Sequence, residues 1–453
     1  MAEVVPGPRH EPGHDALPGG NRLTTHVFVG PTLPPGEVLQ AAGGSAVVHP
    51  PVQHGDLLRL SPSPGDIVVV IDGYYHQRAS VRHKEILHLL SAGVTVVGCA
   101  SMGALRAAEL HPYGMAGSGR VYEMYRDGLI DADDEVAVAH TEGPEYRSLS
   151  LPLVNVRHAV AAAERAGAVS SGQAGTMVAA MRALPYPART WQAIAPQADG
   201  VAAVRNFLAD NPQHADLKAA DAVGTLLRLD SFAAPDPRAH DWIASTGWRT
   251  RFLYDWHAAF RGAEVEGIHV GDAGVVRHRQ IYDRDFPRRR RDHVFTSIAG
   301  SRSPAKVLSA VAARGLTAES VTAAQRAEWL TPAEADRLSP DEALLTILIR
   351  SHKPSRGIHD LVSDERTTIT TAERRLVAEC YAINAEVSTW EPGRGLDYLR
   401  YVTLRAHLSE VWGEDDGAAL VAAARDRGFR TFRDAVQAVR PFYLRGHFMA
   451  VGA

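Results

Sequence analysis

Between residues 26 and 110 the apolar positions fall into short β-branched runs separated by stretches with helical spacing. His26–Pro31 (HVFVGP), Ser45–Pro51 (SAVVHPP), Gly65–Gly73 (GDIVVVIDG) and Val94–Gly98 (VTVVG) read as strands. Gly36–Ala42, Gly55–Leu60 and Arg78–Leu90 lie between them and read as helices. Strands alternating with helices predict an α/β fold, a mostly parallel sheet with flanking helices. The carboxyl ends of such strands form the binding edge. That edge gathers Gly30-Pro31-Thr32, the turn at His49, Asp72-Gly73-Tyr74-Tyr75 and the turn at Ser101.

The stretch Ser91–Leu110 (SAGVTVVGCASMGALRAAEL) organises this half of the chain. An apolar β-branched run enters a turn of small residues and leaves as a helix rich in Ala and Leu. Such a unit exposes a side chain at the sheet edge and aims the free N–H groups of the new helix at whatever binds there. Downstream, His111–Arg120 reads as a glycine-rich loop, Arg120–Gly128 as a short helix, Asp131–Glu135 as an acidic loop and Glu135–His140 as a strand. From Leu153 to Leu229 the period is helical, a layer that closes the first domain.

Pro and charge interrupt the pattern at Phe232–Asp241, and beyond it the text is mainly helical, with the basic run Arg288–Arg291 read as a loop. The predicted organisation is a disordered Pro/Gly/His-rich leader over 1–24, an α/β core with its helical layer over 25–231, and a mainly helical region over 242–453.

Composition narrows the class. With 45% hydrophobic and 22% charged residues the chain reads as a soluble globular protein, and a net charge of −4 argues against general nucleic-acid affinity. Two cysteines build no disulfide framework, and no apolar window has the length of a membrane span. These features predict a cytoplasmic location without membrane association. His10-Glu11-x-x-His14 matches a zinc-protease spacing, but Pro12 and Gly13 oppose the helix that the motif needs.

Cys99-Ala100-Ser101-Met102-Gly103 is similar to a nucleophile elbow, with Cys99 in place of the first glycine. In that reading Ser101 is the nucleophile, and the N–H groups of Met102 and Gly103 hold an oxyanion. The bland alternative makes Ser101 the cap of the following helix. A base is required: His111, His140 and His158 are available, as is Lys84, although a helical wheel turns Lys84 away from the stripe of Ala79, Ile86 and Leu90 and draws His83 into it. Cys99 reads as a buried filler, Arg106 and Glu109 as an intrahelical pair, and Asp72 as a turn cap. Asp72, Gly73, Arg120 and Arg126 are candidates for the rim, with Arg120 a clamp for an anion in the loop from Gly114. Asp131, Asp133, Asp134 and Glu135 form an acidic cluster that favours solvation over a metal, and no metal or cofactor is expected.

Val27–Pro31, Ile71–Gly73, His83–Ile86, Ala100–Glu109 (ASMGALRAAE) and Tyr125–Gly128 together resemble TfuA-like proteins, over about Thr25–Leu229. The resemblance implies a partner of a YcaO enzyme in peptide backbone thioamidation, in the biosynthesis of ribosomally made, post-translationally modified peptides. It implies hydrolysis of the C-terminal thiocarboxylate of a ThiS-like sulfur carrier, releasing sulfide, by a Ser–Lys pair that falls on Ser101 and Lys84. The alternative it leaves open is a docking module that recruits YcaO, carrier and precursor peptide without catalysis. An ordinary esterase using one of the three histidines is the outside reading.

Overall fold

The computed structural model describes residues 23–451, apart from 61, 77, 142, 144, 233–239, 246, 355–356 and 391–394. The leader through residue 22, with His10, Glu11 and His14, and most of the break near 232–241 therefore lie outside the described residues. The chain divides into two compact units, one of residues 1–53 and 62–243, the other of 54–61 and 244–453.

In the first unit, strands β1 (Thr25–Phe28), β2 (Val47–His49), β3 (Ile67–Val70), β4 (Thr95–Cys99) and β5 (Ala116–Ser118) form a five-stranded sheet in the order β2-β1-β3-β4-β5. All four pairings are parallel. Strand order reverses between β1 and β3, so the topological switch point lies at the carboxyl ends of these two strands. The helices that follow β1 to β4 in sequence are α1 (Pro35–Ala41), α2 (Asp56–Leu60), which belongs to the second unit, α3 (His83–Ser91) and α4 (Met102–Leu110). After β5 come α5 (Arg120–Arg126), α6 (Leu153–Arg165), α7 (Ser171–Ala183), α8 (Trp191–Ile194), α9 (Val201–Asp210) and α10 (Leu217–Leu226).

Val27, Val69, Ile71 and Cys99 pack one face of the sheet against residues of α1 and α10. Two glycines let α4 press against the strands. A Cβ at Gly103 would stand 1.7 Å from the Val70 carbonyl oxygen, and one at Gly98 would stand 2.1 Å from that of Gly103. The start of α4 thus lies in backbone contact with β3 and β4, a distance only glycine permits.

Several expectations change here. Within the expected loop 111–120, Ala116–Ser118 is strand β5, too short and too glycine-rich to carry an apolar signature. The expected strand at Glu135–His140 is irregular, with a 3₁₀ turn at Asp133–Glu135 and a single bridge from His140 to Ser148. The acidic cluster is not simply solvated: Glu135 is buried under a bidentate Arg157, with contacts of 2.7 and 2.9 Å, and Asp134 pairs with the buried Arg189.

The second unit is mainly helical and adds one antiparallel hairpin, β6 (Gly262–Val265) and β7 (Ile268–Gly271). Its turn residues Glu266 and Gly267 both have positive φ, 52° and 79°, so a Glu stands where hairpins usually signal themselves with Asn or Asp. Helices Asp272–Tyr282, Thr371–Trp390 and Phe432–Val451 supply much of one hydrophobic core of this unit. Arg288–Arg291 lie on a helix, Phe286–Ala299, and not in a loop. Arg288, Arg289 and Arg291 each pair with a nearby carboxylate and Arg290 is buried, so the run is not a free basic surface.

Candidate functional site

Ser101 sits where β4 turns into α4. Its N–H donates to the Cys99 carbonyl at 2.7 Å, across Ala100 with φ of 64°. That closes a γ-turn of the strained kind, in a conformation a side chain seldom adopts. Ser101 holds the N-cap position of α4, with φ −129° and ψ −128°, yet its side chain makes no capping hydrogen bond. Ser101 is 93% covered and lines a cavity of about 200 Å³ together with Asp72, Gly73, Met102, His140 and Tyr186. The capping alternative therefore lacks the bond that defines it.

Of the two expected oxyanion donors one is already used. The Gly103 N–H donates to the Ile71 carbonyl at 3.1 Å, because the glycine contact draws the helix onto the sheet. The Met102 N–H has no partner among the described residues, so it alone is left to hold an anion beside Ser101.

Asp72 follows β3 and is buried. It accepts from the Gly30 N–H at 2.9 Å, the Thr32 N–H at 3.0 Å and the Thr32 hydroxyl at 2.7 Å, so it caps the turn after β1 across the switch point. A fourth partner is Lys218 of α10, 97% covered, with Nζ 3.7 Å from Asp72 Oδ1 and donating to the Val136 carbonyl at 3.1 Å. Asp72 and Val136 both line the cavity of Ser101. The structure thus brings a buried lysine to this wall, and sequence reasoning passes over it. The available signal was its place on the buried stripe Leu217, Lys218, Asp221, Ala222 and Thr225, where two charges interrupt an otherwise small or apolar face. Asp221 uses that position to accept from the N–H groups of Arg120 and Val121, at 2.9 and 2.7 Å, capping α5.

Lys84 lies in the first turn of α3, half-buried, and is not among the residues of the cavity wall. Arg120 is absent from the wall too, its side chain exposed and paired with Glu123, which removes it as an anion clamp at Ser101. Arg126 is likewise at the surface, paired with Asp127. His83 is not a core residue: it is exposed and bonds Glu109 at 2.8 Å, which also takes Arg106, the expected intrahelical pair. Of the three histidines His140 alone lines the cavity, its Nδ1 bonded to the Thr141 carbonyl at 2.9 Å, while His111 is exposed and His158 packs near His214. Cys99 is fully buried, and burial pushes its thiol up to about 12, which fits a filler and not a nucleophile. His49 sits on β2, stacked on Phe28, and burial with the neighbouring His26 lowers it to about 4.

The rim is aromatic. Tyr74, Tyr75 and Tyr186 line the cavity, and the His76 ring stacks on Tyr186 with centroids 5.8 Å apart. Burial and a hydrogen bond to Asp133 push Tyr75 up to about 12, and burial with a bond to Tyr74 does the same for Tyr146. Ala100, His76 and Tyr146, three of the four described non-glycine residues with positive φ, stand at or beside this site. Strain concentrated at one edge marks a place where surrounding packing enforces a geometry.

Residues 72–190 match the family described as TfuA-like protein. That segment is TfuA-like. It carries Asp72, Lys84, Ser101, the 136–140 wall and Tyr186. Lys218 comes from beyond the TfuA-like match, on a helix that folds back over it. No curated protein matches the chain. No cluster of His, Cys, Asp and Glu suited to a metal ion occurs among the described residues, and no helix among them is long and apolar enough to cross a membrane.

Proposed function

We propose that this TfuA-like chain hydrolyses the C-terminal thiocarboxylate of a ThiS-like sulfur carrier, in the cytoplasm, and hands the sulfide to a YcaO partner that thioamidates a precursor peptide. The observation that carries the reading is the Ser101 hydroxyl, held on a strained turn in a cavity without a capping bond. Its oxygen attacks the thiocarboxylate carbon, and the N–H of Met102 faces the oxyanion that develops. Collapse of the tetrahedral species breaks the C–S bond, expels sulfide and leaves an ester on Ser101, which water cleaves to a carboxylate. A lysine takes the serine proton and returns it to the departing sulfur. The resemblance assigns that role to Lys84, and Lys218 against the cavity wall is the second candidate.

The test is sulfide release from a thiocarboxylated carrier by the purified chain. Ser101→Ala is expected to reduce release to background, and loss of the operating base to cost about 10²–10⁴-fold. Comparing Lys84→Ala with Lys218→Met identifies the base, and His140→Ala tests the esterase reading. Wild-type rates from Ser101→Ala would leave the docking module as the surviving account.

A further inference from the structure

The second unit contains a cavity of about 860 Å³ walled by Arg251, Arg277, Arg350, Lys353, Arg425 and Arg430. Two of these cations are neutralised within the unit. Arg350 is held by Glu334 and Asp426, at 2.7 and 2.8 Å, and Arg251 by Asp255 at 3.5 Å. The other four form no ion pair among the described residues. Arg277 donates to the neutral amide of Gln280 at 2.9 Å and lies over the Phe429 ring. Arg425 donates to the Glu328 carbonyl and lies 4.4 Å over Trp329, and its buried Nε has no partner.

The acids of the wall are Glu328 and Asp434, and Asp434 spends an oxygen on the Thr431 N–H at 3.0 Å. Behind the wall stands Arg290, 98% covered, beside Gly428 and donating to the His352 carbonyl at 3.0 Å. Its Nε and Nη1 have no partner, and burial with no carboxylate to offset it lowers its pKa to about 10. Arg277 feels Asp255 and Asp434 only at a distance, without an ion pair to either. Burying cations without a paired carboxylate is costly, and a packed wall that keeps them gains when an anion arrives. Guanidinium forks suit phosphate and carboxylate oxygens, and the volume falls in the range of small-molecule sites.

We propose that the C-terminal unit binds a small, multiply charged oxyanion between Arg277 and Arg425. The site is separate from the Ser101 cavity and does not depend on the reading of that site. An organic phosphate and a polycarboxylate present the same oxygens, so both are tested.

The experiment is titration calorimetry of the full chain with inorganic pyrophosphate, with citrate, and with chloride at matched ionic strength. One saturable site for pyrophosphate or citrate, weakened at least tenfold in both Arg277→Met and Arg425→Met, supports the proposal, and the tighter of the two anions identifies the source. Arg277→Lys and Arg425→Lys keep the charge and guard against misfolding, and they should restore part of the affinity. Arg291→Met, whose partner is Asp292, should bind as the wild type does. No saturable heat for either anion, or binding unchanged in the two Met variants, overturns the proposal.

Discussion

At the scale of single residues, the pair Asp72 and Lys218 is unequal. Asp72 has three donors besides the ammonium, whereas the Lys218 ammonium has, among the described residues, only the Val136 carbonyl besides the carboxylate. Removing the lysine leaves a carboxylate still well bonded. Neutralising the aspartate leaves a buried ammonium with no counter-charge, which costs about 3–5 kcal/mol. Lys218→Met should therefore lower the unfolding free energy by less than about 2 kcal/mol, and Asp72→Asn by clearly more. The double variant should recover stability relative to Asp72→Asn alone, since the stranded charge is then gone. Urea denaturation at neutral pH reads all three, and equal losses in the two single variants would contradict this account. The sequence made Asp72 legible as a turn cap but hid its partner. Asp72 ends a strongly β run, while Lys218 reaches it from 146 positions away, and no local pattern encodes such a distance.

At the scale of elements, β1–β4 and the four helices that follow them were readable because period and turn residues agree there. Boundaries were less so: α3 starts at His83 and not Arg78, after an irregular passage through His76 with positive φ. What escaped were β5 and the hairpin of the second unit, short strands whose pairing is decided by neighbours and not by their own composition. The elbow at Ser101 was legible as small residues at a corner, but which N–H would remain free depended on how closely α4 approaches β3.

That approach can be tested at Gly103. Its Cβ would meet the Val70 carbonyl, a backbone atom that cannot rotate away, so Gly103→Ala must lift the start of α4 off the sheet. A loss of about 3 kcal/mol or more is expected, together with loss of the proposed sulfide release as Ser101 shifts. Gly175→Ala in α7 is the matched control, with no atom within 4 Å of the new Cβ. It should raise stability by about 0.5–1 kcal/mol, through the unfolded chain and helix propensity. Thermal unfolding of the two variants in parallel separates a close-approach effect from a general cost of alanine.

At the scale of the whole molecule, the two units are not laid out end to end in the sequence. Residues 54–61 leave the first unit, contribute α2 to the second and return before β3. Within the second unit α2 packs on the helix Arg251–Phe260: His54 meets Trp256 and Phe260 edge-on, Arg59 lies over Phe260, and Leu57 and Leu58 are buried. A truncation after residue 243 would therefore not simply release a free α/β domain. It would remove the helix Arg251–Phe260 on which α2 packs, and so take cover from a segment that carries Leu57 and Leu58 between two strands of the sheet. The expected result is a fragment that aggregates or melts well below the full chain. Replacing Leu57 and Leu58 by Ser in the fragment should restore solubility, because the exposed apolar surface and not a missing part of the sheet is then the cause. The same double substitution in the full chain should destabilise it, since there it removes packing within the second unit. Size-exclusion chromatography and thermal melts of the four proteins decide the matter: a fragment as soluble and stable as the full chain, or one that the Ser pair fails to improve, would show that α2 does not need the cover of the second unit.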